Sequence, residues 1–214
     1  MTNTKQKFIL IPTVVMTFLF SISAGAVTFS AAEKEKLQSG KTVKKRLSNS
    51  CNNGFYGGSG YTLIDAPAEV VWKAILDYNT YHKVFAATSR VSEIERKGSK
   101  SLIHYEMGYK FLTLEYYLEV TKNHSKYTLS FEMLTDKPHD ITMARGYWRL
   151  FPQKGGRTLV AYVVSTQIPM GIVNLMKKSW HPLVERNLIG APNDIKKWLA
   201  SPGGKKYFKN TAKK

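Results

Sequence analysis

The sequence predicts an α+β fold, a curved antiparallel sheet wrapped around a long C-terminal helix. Three observations carry this reading. Residues 64–85 read as the end of a strand followed by two short amphipathic helices. Residues 89–167 then divide into about six stretches of alternation separated by turn signals. Last comes an apolar helical stripe of about five turns.

The first strand is expected over Gly60–Asp65, after a Ser-, Asn- and Gly-rich loop from Ser48. Gly54, Gly57, Gly58 and Gly60 read as a flexible lead-in to it. Pro67 falls where a first helical turn tolerates proline, and Val70, Val71, Ala74 and Ile75 form a helical stripe. Tyr78 and Tyr81, three apart, mark the second short helix, so the pair spans roughly Ala66–Val84.

Four turns divide the meander: Lys97-Gly98-Ser99-Lys100, Lys122-Asn123-His124-Ser125, Asp136-Lys137-Pro138-His139 and Gln153-Lys154-Gly155-Gly156. The third and fourth strands meet near Tyr109–Phe111. Alternation assigns the faces. Ile103, Tyr105, Met107 and Tyr109 oppose His104 and Glu106. Leu112, Leu114, Tyr116, Leu118 and Val120 oppose Thr113, Glu115 and Glu119. Tyr127, Leu129, Phe131 and Met133 oppose Thr128, Ser130 and Glu132. One charged and one apolar face is the pattern of an antiparallel sheet wet on one side.

The last two strands leave the inner face open. Gly146, Trp148 and Leu150 face one way, and Arg145, Tyr147, Arg149 and Phe151 the other, while Thr158–Gln167 is apolar on both faces. The C-terminal helix is expected over Met170–Ile189, with a second piece after Pro192. Val173, Met176, Trp180, Leu183, Val184 and Leu188 line one side. Pro182 should kink it, because proline removes a helical hydrogen bond.

At the Ala66-Pro67-Ala68-Glu69-Val70-Val71-Trp72 box and the Gly146-Tyr147-Trp148-Arg149-Leu150 box, the sequence resembles the START-like (SRPBCC) superfamily. That superfamily includes Bet v 1-like proteins, polyketide cyclases and coenzyme Q-binding START proteins. The resemblance covers roughly residues 54–199. It implies the helix-grip fold, with a cavity between sheet and helix. The fold marks function poorly, since one fold hosts many functions.

The implied ligand is small and hydrophobic, such as a lipid, sterol or quinone. Methionine adapts to irregular apolar partners, and tyrosine offers an apolar body with a polar tip. The candidate lining is Tyr105, Met107, Tyr109, Leu114, Tyr116, Leu118, Leu129, Phe131 and Met133 from the meander. Trp148 joins it from a later strand, and Val173, Met176 and Trp180 from the helix. Aromatics on a sheet face also build plain cores, so the cavity rests on the resemblance. A cyclase-like enzyme would place polar residues in the same cavity. Asp140, Arg145 and Arg149 are the candidates, and they are equally readable as solvent-facing. No matched acid and base defines a mechanism. A filled-core interaction module is the third class.

Other chemistries find no motif. His82, His104, His124, His139 and His181 form no close-spaced metal pair, and neither a nucleophile elbow nor a phosphate-cradling glycine loop occurs. No cofactor is expected. The single cysteine, Cys51, leaves no intrachain disulfide partner.

The N-terminus reads as an export signal. Lys5 and Lys7 precede an apolar run over Phe8–Ile22, and Ala24-Gly25-Ala26 offers a cleavage site. The run is about 22 Å long as a helix, short of the ~30 Å hydrocarbon thickness. The alternative is an uncleaved anchor extending to Phe29. The divisions expected are a signal peptide over 1–26, a basic flexible segment over 27–53, the START-like domain over 54–200 and a basic tail over 201–214.

The net charge is +17. Residues 33–50 carry six basic and two acidic residues, and residues 203–214 carry five lysines and no acid. Such tails are expected to be solvated, and to allow peripheral contact with anionic membrane. Nucleic acid is not an expected partner, and the protein is expected to be a monomer.

Overall fold

Six consecutive strands form the meander: β3 (Thr88–Lys97), β4 (Lys100–Tyr109), β5 (Leu112–Asn123), β6 (Thr128–Met133), β7 (Met143–Gln153) and β8 (Arg157–Gln167). The computed structural model describes residues 28–47, 54–109, 112–175 and 181–209. Two earlier strands, β1 (Val43–Arg46) and β2 (Phe55–Ile64), complete one antiparallel sheet in the order β1-β2-β8-β7-β6-β5-β4-β3. Between β2 and β3 lie helix α2 (Ala68–Leu76), a 3-10 turn over Tyr78–Thr80 and helix α3 (Tyr81–Val84). Helices α4 (Met170–Leu175) and α5 (His181–Ala200) follow β8. This is the helix-grip arrangement, with α5 lying across β2 and β8.

Alternation fixes which way the sheet curls. Along β5, Leu114, Tyr116, Leu118 and Val120 are buried, while Thr113 and Glu115 are exposed. β7 buries Ala144, Trp148 and Leu150 and exposes Arg145 and Tyr147, which settles its inner face. β8 buries residues on both sides because both sides are covered. Val160 joins the main core with Tyr162 packed against it, and Leu159 and Ala161 join a second apolar cluster on the outer face.

That outer cover is the segment expected to be flexible. Residues 27–53 hold helix α1 (Ala31–Gln38) and strand β1. A capping box starts α1: the Ser30 hydroxyl accepts from the Glu33 N–H, and the Ser30 N–H donates to the Glu33 carboxylate. Phe29, Leu37 and Val43 bury themselves against Tyr61, Leu63, Leu159 and Ala161. The lysines that dominate the composition face outward. Lys45 pairs with Glu33 at 3.2 Å and lies over the Phe29 ring. A few spaced apolar anchors were enough to seat a basic segment.

The C-terminal tail is corrected in the same way. A 3-10 segment over Pro202–Tyr207 folds back, and Tyr207 is buried. Its hydroxyl donates to Asp77 at 2.8 Å, and Lys206 pairs with the same carboxylate. The folded unit therefore runs past residue 200.

The first strand starts at Phe55, and its glycines are paired rather than flexible. Gly58 and Gly60 oppose Val164 and Tyr162 of β8. A Cβ on Gly60 would lie 2.1 Å from the Ile189 carbonyl oxygen of α5. Glycine is required there for close approach of helix to strand.

The C-terminal helix also differs from expectation. Pro182 is the second residue of α5, and the kink expected there falls against residues 176–180, which lie outside the described residues. Helix α5 then runs through Pro192 without a break between pieces. Pro192 is fully buried and packs against β2 beside Gly60, so tertiary contact offsets the one lost bond. Among the described residues, no helix is long and apolar enough to cross a membrane.

Candidate functional site: an apolar chamber

The sheet, the α2–α3 region and α5 enclose a chamber of about 190 Å³. Each wall has a local cause. The inner-facing residues of β4–β8 supply the curved floor because a strand puts every second side chain on one face. The 3-10 turn and α3 supply Tyr78, Tyr81 and Phe85 at one end, held by edge-to-face ring contacts between neighbours at 5.4 and 4.8 Å. Helix α5 supplies Val184, Asn187, Leu188, Ala191 and Asp194 at successive turns of one face.

Of the residues expected at the site, eight line this chamber: Tyr105, Met107, Leu114, Tyr116, Leu118, Leu129, Phe131 and Trp148. Met133 and Val173 are buried in the core but are not on the chamber wall. Met133 ends β6, beyond the chamber's reach, and Val173 packs from α4 toward Gly54. The side chain of Tyr109, together with Met176 and Trp180, lies outside the described residues. Sequence reasoning missed Tyr162, Val164 and Thr166 of β8, whose strand was apolar on both faces. Asn187 and Asp194 were missed because nothing in the helical pattern distinguishes a polar residue at a cavity edge from one in solvent.

The polar groups of the chamber are mainly tyrosine hydroxyls. Tyr81 donates to the Ile75 carbonyl at 2.6 Å. Tyr105 and Thr88 share a hydrogen bond of 2.7 Å. Tyr116 donates weakly to the Met107 sulfur at 3.6 Å. Tyr162 lines the chamber with its ring 4.2 Å from Trp148, and its hydroxyl makes no hydrogen bond among the described residues. The rings of Tyr105 and Tyr116 stack at 5.3 Å.

Burial disfavours the phenolate and pushes Tyr105 up to about 12. Burial also raises Tyr81, Tyr116 and Tyr162 above the usual tyrosine value, and their proximity to one another adds to the effect. All four stay protonated at neutral pH. They can donate hydrogen bonds to a ligand oxygen and cannot serve as general bases.

The residues considered for catalysis lie elsewhere. Arg145 is exposed, Arg149 lies over the Phe151 ring, and Asp140 accepts from the Glu115 N–H. None of the three lines the chamber. Among the described residues Asp194 is the only carboxylate on its wall, and burial raises its pKa against the pull of Lys197, Lys44 and Arg186. Among the described residues no three His, Cys, Asp or Glu side chains gather as a metal site.

A second polar cluster sits behind Tyr78. Lys122 is buried, and its ammonium donates to Glu93 and to Ser101, each at 2.9 Å. The same ammonium lies 5.2 Å from the Tyr78 ring centroid. Arg96 pairs with Glu93 from the other side.

A family model described as polyketide cyclase / dehydrase and lipid transport matches residues 64–188. Solved structures agree at the level of fold. The STAR-related lipid transfer protein of Xanthomonas axonopodis (fragment 25–204) superposes with a TM-score of 0.57 at 15% identity. That match covers 75% of this chain and 93% of the other. An aromatase/cyclase, Zhui, from a Streptomyces species gives 0.56 at 14% identity, covering 70% and 98%. A protein from Thermus thermophilus gives 0.56 at 15% identity, covering 66% and 95%. No curated protein matches the sequence.

Proposed function

We propose, on the premise that the chain belongs to the polyketide cyclase / dehydrase and lipid transport family, that it binds and carries a small apolar molecule in the chamber. The observation that carries this reading is the lining. A cavity walled by leucines, valines, aromatics and Met107, with a few hydroxyls to orient an oxygen, suits a lipid, sterol or quinone-like ligand. Carriage is favoured over catalysis by the same wall. Among the described residues it holds one carboxylate and several tyrosines kept neutral by burial, and no acid–base pair. Export is part of the proposal and rests on the Lys5/Lys7, apolar-run and Ala24-Gly25-Ala26 pattern of the sequence. The basic surface, including Lys205, Lys206 and Lys209, supports peripheral approach to an anionic membrane, at ~1 kcal/mol per residue near the surface.

The test fills the chamber. Ala144 is a small wall residue on β7. Ala144→Trp should keep the melting temperature and abolish uptake of a neutral fluorescent lipid probe. In a solid core the same change overpacks and costs ~1–3 kcal/mol. A destabilised variant together with a wild type that takes up no probe would reject the carrier reading. Organic extraction of the purified protein and mass spectrometry would then identify any co-purifying ligand.

A further inference from the structure

We propose that the polar hollow beside the chamber holds an anionic headgroup, so that the ligand is one amphiphile spanning both spaces. Its apolar part fills the chamber, and its carboxylate or phosphate sits among Lys44, Arg186 and Lys197. This rests on the chamber being a ligand space and adds the chemical class of the ligand.

The hollow, about 340 Å³, shares Ala86, Asn187 and Asp194 with the chamber wall. The two spaces therefore lie side by side along α5, and their characters are opposite. The chamber side is apolar, whereas the described residues walling the hollow include three cations, two asparagines and one carboxylate. The helix explains the arrangement. Arg186, Gly190, Asn193 and Lys197 recur every three or four residues and so share one face over successive turns. Lys44 arrives from β1 across Gly190, where a Cβ would stand 3.4 Å from its ammonium nitrogen.

Arg186 and Lys197 are not consumed by Asp194. Among the described residues, Asp194 forms no hydrogen bond or ion pair with Arg186 or Lys197, and neither cation has another such partner. Among the described residues, Arg186 and Lys197 face the single carboxylate of Asp194 and leave an excess that an incoming anion would neutralise. An arginine with two flanking amide side chains, Asn187 and Asn193, supplies several N–H donors at one spot, as a carboxylate or phosphate oxygen requires. A lipid lacking a charged group would leave these donors to water. The same chain carrying an anion would bring its charge to them while its apolar part stays in the chamber.

The experiment is displacement of a bound neutral dye, N-phenyl-1-naphthylamine, from the full chain at low salt. Three competitors of equal chain length are used: hexadecanol, palmitate and palmitoyl lysophosphatidate. Wild type should release the dye at about tenfold lower concentrations of at least one anion than of the alcohol. Which anion is preferred distinguishes a carboxylate from a phosphate. The Arg186→Gln/Lys197→Gln double variant should bind dye and hexadecanol as before and lose the preference for the anion. Asp194→Asn should widen the gap between anion and alcohol. Equal displacement by all three competitors in wild type would overturn the proposal, as would a preference that survives the double variant. If the dye does not bind to wild type and extraction finds no ligand, the chamber reading fails and the headgroup site falls with it.

Discussion

Leu159 and Ala161 leave β8 on one side, while Val160, Tyr162 and Val164 leave it on the other. Both sets are apolar, yet they meet different surroundings. The outer set is covered by Phe29, Leu37 and Val43, and belongs to a small cluster with no chamber on its walls. Tyr162 and Val164 of the inner set border the chamber, where part of each side chain has no protein neighbour. Apolar character alone thus says that a face is covered. The nature of the covering element decides whether the space is filled or kept open.

The largest expected effect falls where helix and sheet touch most closely. Gly60→Ala would drive a methyl into the Ile189 carbonyl and should cost more than about 3 kcal/mol, because backbone must move on both sides. Urea titration checks it; a shift of less than a third of that size would mean that α5 is loosely seated. Next, equal truncations should report the two faces directly. Leu159→Ala, in the outer cluster, should cost about 3 kcal/mol, and Leu114→Ala, on the chamber wall, about 2 kcal/mol. Ligand would then raise the melting temperature of wild type more than that of the Leu114 variant. Equal costs on the two faces would mean that the chamber wall is packed as densely as the outer cluster.

The third effect tests the rim. Removing residues 202–214 deletes buried Tyr207 and both partners of Asp77, and should cost about 2 kcal/mol. An unchanged melting temperature would return this segment to the status of a solvated tail. The smallest effect depends on pH. Arg96, with Ser101 and Lys122, holds Glu93 down at about 2, against burial, below the ordinary glutamate value of 4.5. A depressed carboxylate stabilises the fold above its unfolded value, and the contribution is lost as the pH falls through 4.5 toward about 2. Wild type should therefore lose stability across that window, and Glu93→Gln should flatten the slope. The variant leaves Lys122 buried without its carboxylate, so it should also be less stable at neutral pH.

The middle of the sheet was legible because β4, β5 and β6 have one wet face, and alternation then names the inner residues. Seven of the expected lining residues meet at the chamber for that reason. β8 was illegible because its second face is covered by the segment that holds α1 and β1, and that segment was hidden by its lysines. Composition averages over a segment, whereas burial depends on a few positions such as Phe29, Leu37 and Val43. The glycines of β2 were misread for a related reason. A glycine needed for close packing looks the same in sequence as one needed for freedom. Pro192 gave the opposite error, since a buried proline can remain within a helix when its neighbours hold the chain in place.

The contact at Gly60 has a geometric meaning beyond its energy. Helix and sheet meet there almost backbone to backbone, and α5 packs on β1, β2 and β8 while the sheet curls away toward β4 and β5. The chamber is the wedge that opens between them, and Gly60 stands at its apex. A wedge is set by its narrow end: a shift of the helix there tilts the whole gap. One hydrogen in place of a side chain at residue 60 therefore fixes the bore available to a guest several strands away. A substitution at this point would retune which guests fit without altering any residue they touch.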